Sequence, residues 1–182
     1  SYSAQPAEKT NFDNNLFDLI VVAQAIHWFD FDKFYAEVKR TAKESALICV
    51  VGYGKLEISE QIDNVIADFY DNAIGKYWDK ERKYIDENYK TIPFPFDEIQ
   101  TPNFVNIQHW TLEHLIGYLN TWSAVKHFIK QNNYNPMEEW QKDIEQLWGN
   151  EQVKQVHFPL LLRIGRITTE TKSIPNQNNY SQ

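Results

Sequence analysis

The sequence predicts an α/β fold, and three observations carry the prediction. Phe17 to Ala23 is a nearly continuous apolar run, Ala46 to Tyr53 is a second one, and between them Phe34, Tyr35, Val38 and Ala42 recur at helical spacing. Continuous apolar strands need cover on both faces, as central strands of parallel sheets do. A strand, a helix and a strand with short links predict a parallel crossover unit. A ligand site is then expected at the carboxyl end of the first strand, where open α/β sheets bind. There the chain reads Ala23-Gln24-Ala25-Ile26-His27-Trp28.

Asp30 or Asp32 is placed to cap the first helix. From Glu57 to Ala73 the residues Ile58, Ile62, Val65, Ile66, Phe69 and Tyr70 form a long amphipathic stripe. Ile92-Pro93-Phe94-Pro95-Phe96 is expected to be extended, because residues before proline avoid helical backbone. Phe104 to Trp110 alternates as a strand does, and Leu112 to Ile129 reads as two short helices or one bent one. Asn135 and Pro136 suit the cap and first turn of a helix carrying Met137, Trp140, Ile144, Leu147 and Trp148, with Gly149 to stop it. Val153 to Ile167 is the last long strand, and residues 169–182 are polar and expected to be disordered.

Composition narrows the function. The 182 residues carry a net charge of −7, and 15% are aromatic. That length suits one globular domain. The acidic balance argues against a sequence-blind grip on nucleic acid, which needs clustered Lys and Arg. Lys80-Glu81-Arg82-Lys83 reads as a solvated helix face. The single cysteine, Cys49, lies in an apolar run and suits a structural thiol in a reducing cytoplasm. Apolar stretches fall short of a membrane span of about 20 residues. Cytoplasmic localisation is the expectation. His109 and His114 lack cysteine or paired carboxylate partners at ligand spacing, so no metal site is expected. The absence of a Gly-x-Ser-x-Gly elbow counts against a hydrolase.

The segment Asp18-Leu19-Ile20-Val21-Val22-Ala23-Gln24-Ala25-Ile26-His27-Trp28-Phe29-Asp30 resembles the fourth-strand motif of class I S-adenosyl-methionine-dependent methyltransferases, in the trans-aconitate-type, small-molecule branch. Phe34 to Arg40 resembles the next helix and Ala46 to Tyr53 the fifth strand. Gly117-Tyr118-Leu119-Asn120-Thr121-Trp122-Ser123-Ala124-Val125 resembles a late helical signature of that branch, and Phe158 to Arg166 its last strand. The resemblance runs from Tyr2 to Ile167. Ser1 to Glu8 resembles the end of the third strand. No glycine-rich turn precedes Phe17, so the chain resembles the C-terminal two-thirds of such an enzyme, lacking the N-terminal cofactor-binding segment.

The resemblance implies a Rossmann-like fold with a mixed sheet, an antiparallel last strand and a helical lid insertion. The implied layout is a partial methyltransferase domain over residues 1–168. Core strands and a helix fill 1–55, the lid 56–102 and 112–150, and C-terminal strands 103–111 and 153–168. The implied activity is methyl transfer from S-adenosyl-methionine to a small molecule at oxygen, a carboxylate included, with this chain as the substrate and lid half and inactive alone. Ala7, Glu8, Ala23, Gln24 and Ala25 would touch the cofactor. His27 would be the base or hydrogen-bond donor, with Trp28, Tyr53, Tyr118, Trp122 and Ser123 around the substrate. Neutral imidazole can play either part near neutral pH. The alternatives are that His27 bonds a carbonyl while Trp28 fills the core, and that the late aromatics only hold the lid down. A non-catalytic binding module is the rival to an enzyme. An unpaired edge on the first strand would further predict a homo-oligomer.

Overall fold

The computed structural model describes residues 2–168, so the polar tail at 169–182 lies outside the described residues. Contacts divide the chain into two compact units, where length alone suggests one domain. Of the described residues, the first comprises 2–50, 93–101 and 163–168, the second 51–92 and 102–162.

In the first unit β1 (Phe17–Ala23) leads through a 3₁₀ turn at Ile26–Trp28 to α1 (Phe31–Thr41). The Asp30 carboxylate accepts from the Lys33 N–H at 3.3 Å, which satisfies one orphan donor of the first turn. Phe34, Tyr35, Val38 and Thr41 bury one side of α1. The chain returns as β2 (Ala42–Tyr53). The Leu16 N–H bonds the Thr41 carbonyl and Asp18 pairs with Lys43, so residue numbers rise together and β1 and β2 run parallel. β5 (Lys154–Arg166) follows β2 in the strand order and β3 (Asp97–Ile99) follows β5. The Ser45 N–H bonds Ile167, Ile167 bonds back to Ala46, and the Gly54 N–H reaches Pro159, a falling register that makes β5 antiparallel to β2. β3 is antiparallel to β5 as well, with Glu98 opposite Gly165. Gly165 is required by a close approach, since a Cβ there would lie 2.7 Å from Phe96 and 2.8 Å from Phe94. The Phe94 and Phe96 side chains lie against the strand at that point. A mixed α/β sheet with an antiparallel last strand is the result.

The second unit is mainly helical. α2 (Glu60–Asp68) runs into a π-helical turn at Phe69–Ala73, closed by the Ile74 N–H on the Phe69 carbonyl. The short α3 (Lys83–Asp86) follows, then β4 (Val105–Trp110), α4 (Leu112–Asn120), α5 (Ser123–Asn132) and α6 (Met137–Trp148). β4 pairs antiparallel with the first half of β5, Trp110 opposite Lys154. Helix α6 packs on α2 and α4. Their shared core holds Ile62, Phe69, Leu115, Leu119, Met137 and Ile144, each at most 1% exposed. Burial of such side chains contributes about 1.5–3 kcal/mol each.

Several expectations change. Among the described residues β1 ends the strand order with Leu19 and Val21 52% and 55% exposed, so its apolar run suits a doubly covered strand while its edge is unpaired, as the resemblance to the later part of the fold implies. An apolar run records what a strand can bury, not which neighbour lies beside it. Residues 2–8 take no part in the sheet. Leu112 to Asn132 is two helices. Asn135 accepts from the Met137 N–H at 3.0 Å as foreseen, although Pro136 is the residue that flanks the helix. Gly149 ends α6 at φ +68°, where a side chain would be strained. Cys49 is half-buried, and desolvation raises its thiol pKa, which suits an unreactive structural role. No helix among the described residues is long and apolar enough to cross a membrane.

Candidate functional site

The carboxyl end of β1 turns sharply. Gln24 adopts a left-handed backbone at φ +50°, uncommon for a residue with a side chain and often a feature of functional turns. The turn buries Ile26 and His27, the latter 6% exposed, and leaves Trp28 56% exposed with its ring 5.0 Å from the imidazole. Trp28 therefore does not fill the core, and that half of the structural alternative fails.

Beside this turn lies a cavity of about 400 Å³, within the usual range for small-molecule sites. Its walls are apolar, from Phe12, Phe17, Leu19 and Val21, with Ala7, Ala23 and Ala25 among the lining residues. Three of the five residues expected at the cofactor thus share one cavity. Glu8 and Gln24 are not in the lining, and the Glu8 carboxylate instead accepts from the Asp30 N–H at 3.2 Å. His27 and Trp28 also lie outside that lining.

The polar lining was missed from the sequence. Glu37 takes a two-pronged grip from Arg40, at 2.9 Å from Nε and 2.7 Å from Nη2, and accepts from the Thr10 N–H at 2.8 Å. Arg40 also donates to the Phe12 carbonyl and to Asn14. This knot fastens residues 10–14, one wall of the cavity, to α1. The Arg40 hydrogen bonds are the main cause that holds the Glu37 carboxyl down at about 2, from an ordinary 4.5. Because the folded value is depressed, the stabilisation is complete above 4.5 and lost as pH falls towards 2. Glu37→Gln is expected to cost about 1–2 kcal/mol at pH 7. It should also flatten the acid limb of stability, so that urea-unfolding curves of the two proteins converge near pH 2. Parallel curves from pH 7 to 2 would refute the role.

The remaining expected substrate residues, Tyr53, Tyr118, Trp122 and Ser123, all belong to the second unit. Tyr118 packs against Trp110, Trp122 and Phe158, with ring centres 5.2, 6.1 and 5.6 Å away. Tyr53 meets the same Phe158 edge-on at 5.6 Å. Burial first, with the neighbouring Tyr53, pushes the Tyr118 hydroxyl up to about 12, so it stays protonated. Trp122 touches Phe69, Tyr70 and Trp78. Ser123 donates to the Asp79 carboxylate at 3.1 Å. Two of the four, Tyr118 and Trp122, therefore sit in one continuous aromatic cluster, which Tyr53 joins through Phe158.

Sequence reasoning missed the charged heart of that cluster. Arg82 is not part of a solvated face, because its side chain is only 20% exposed. Its guanidinium lies 4.8 Å over Trp78 and 5.5 Å over Tyr70, and its Nε donates to the Tyr70 hydroxyl at 2.9 Å. Tyr70 in turn donates to Asp86 at 2.8 Å, and Lys55 sits 3.7 Å over the Tyr70 ring. A signal existed in the alternation of Tyr and Trp with Lys and Arg between Tyr70 and Tyr89.

Comparison with known proteins agrees with this architecture. A family described as a methyltransferase domain matches residues 1–50. A solved structure from Anaeromyxobacter dehalogenans, described as a candidate type II methyltransferase, is 34% identical with a TM-score of 0.84, over 92% of this chain and 72% of its own. A Dictyostelium discoideum protein described as a candidate methyltransferase is 29% identical over 172 residues, 91% of this chain. The chain spans 65% of the length of that curated relative. With a third of its residues shared with a methyltransferase-described structure across nearly its whole length, and the mixed sheet to match, the chain belongs to the class I S-adenosyl-methionine-dependent methyltransferase family.

Proposed function

We propose that the whole protein transfers a methyl group from S-adenosyl-methionine to an oxygen of a small molecule, carboxylates included, and that this chain supplies the substrate side. The observation that carries the reading is the left-handed turn after β1. It buries His27 while setting Ala23 and Ala25 into the cavity wall. The cavity fits the cofactor in part. Its alanines and apolar walls leave room for a flat ring and methylenes. Glu37, the charged residue of the described lining, is committed to Arg40 and Thr10, so the cofactor's ammonium and ribose need partners beyond that lining.

When bound, the cofactor supplies an electrophilic methyl on a sulfonium. The chain's own residues have simpler duties. Ala7, Ala23 and Ala25 shape the cofactor's place and exclude water from it. His27 accepts or donates a hydrogen bond at an acceptor oxygen. Trp28 gives the turn an exposed aromatic face.

Calorimetric titration of the whole protein with S-adenosyl-homocysteine tests this reading. Saturable heat is expected, abolished by Ala23→Trp, which fills the cavity. Absence of heat, or heat unaffected by Ala23→Trp, overturns it. The exposed edge of β1, with Leu19 and Val21 uncovered, also supports self-association of this chain.

A further inference from the structure

We propose that Arg82 anchors an anion in the second unit, taking one carboxylate of a small, apolar-bodied ligand on the outer edge of its guanidinium. The arginine is held from behind. The Trp78 ring lies 4.8 Å and the Tyr70 ring 5.5 Å from its central carbon, and Nε is bound to the Tyr70 hydroxyl. Its two terminal amino groups have no hydrogen-bond acceptor among the described residues. Among those residues no fully buried polar side-chain atom lacks a partner, so both groups reach solvent. A fixed guanidinium with two free parallel donors matches a carboxylate.

Local charge agrees. Lys55 and Arg82 face a single acid, Asp86, at 4.0 and 3.7 Å. One positive charge is left over, which suits a monoanion. The surrounding Trp78, Trp122 and Tyr118 rings favour an apolar body over a phosphate. Tyr89 and Tyr118 are held up at about 12, chiefly by burial, and remain protonated at neutral pH.

The backbone points the same way. Tyr70 stands in the π-helical turn, a distortion frequent at functional sites. Asn88 and Tyr89 are both left-handed, at φ +54° and +60°, and Tyr89 is fully buried. A bulky aromatic in that region is strained, and such strain persists where the surroundings enforce it, often at ligand sites.

This assignment rests on the proposed methyl transfer only for what the ligand is used for, not for its binding. The test is therefore run without cofactor, by titrating tryptophan fluorescence with phenylacetate and, separately, with inorganic phosphate. A saturable change with phenylacetate is expected. Arg82→Gln should weaken it about tenfold or more, by loss of a two-pronged charged contact. Asp86→Asn should tighten it several-fold, because it removes the competing carboxylate and should not unfold the chain. No saturable change, an unaltered affinity in Arg82→Gln, a weaker one in Asp86→Asn, or preference for phosphate would each overturn the assignment. Where circular dichroism shows Arg82→Gln unfolded, Asp86→Asn decides. Binding of S-adenosyl-homocysteine without phenylacetate sinks this inference alone, and the converse sinks only the methyl-transfer reading.

Discussion

Replacing His27 by glutamine in the whole protein is expected to lower methyl transfer to a hydroxyl acceptor by roughly 10²–10⁴, the usual worth of a positioned general base. Transfer to a carboxylate should change only a few-fold. The difference follows from the acceptors. A hydroxyl must shed its proton as the new bond forms, whereas a carboxylate, with an ordinary pKa near 4, has already lost it at neutral pH. His27 is suited to the first duty by position, buried at the carboxyl end of β1 beneath the left-handed Gln24 turn. Glutamine keeps a hydrogen-bonding tip but cannot take up a proton. The measurement is incorporation of labelled methyl into matched hydroxyl and carboxylate acceptors. Equal losses on both would make His27 an orienting residue, and no loss on either would remove it from the mechanism.

Much of the architecture was legible because local and global signals agree. Phe34, Tyr35 and Val38 at helical spacing, capped by Asp30, give α1, and the two apolar runs give β1 and β2. What stayed hidden depends on neighbours. Leu19 and Val21 are as apolar as any central strand, yet exposed, because burial belongs to the partner and not to the run. Arg82 misled for the opposite reason. In sequence it is one charge among four, and only the fold lays its planar group on Trp78 and Tyr70. The π-helical turn at Phe69–Ala73 left no composition signal either, since its extra residue is accommodated by packing. Of the site, the β1 turn could be read from one segment. The Thr10, Glu37 and Arg40 knot could not, since Thr10 and Glu37 are 27 residues apart.

Phe69→Ala is expected to lower the unfolding free energy by about 3–5 kcal/mol, the range for emptying a fully buried aromatic site. Phe69 is 0% exposed and opens the π-helical turn. Its ring stacks on Trp122 at 6.3 Å and tilts against Trp140 at 5.4 Å. Alanine would forfeit both aromatic contacts and leave a void between α2 and α6, which pack on each other. Collapse of the void is opposed by Trp140, whose indole N–H is tied to Asp68 at 2.9 Å, and by Trp122, wedged among Tyr70, Trp78 and Tyr118. A site that cannot close pays the upper part of the range. Urea unfolding followed by tryptophan fluorescence reads the effect directly, since Trp122 and Trp140 flank the position. A loss below about 1 kcal/mol, the cost of an ordinary substitution, would mean that the helices repack around the gap and that the aromatic cluster is less rigid than its geometry states.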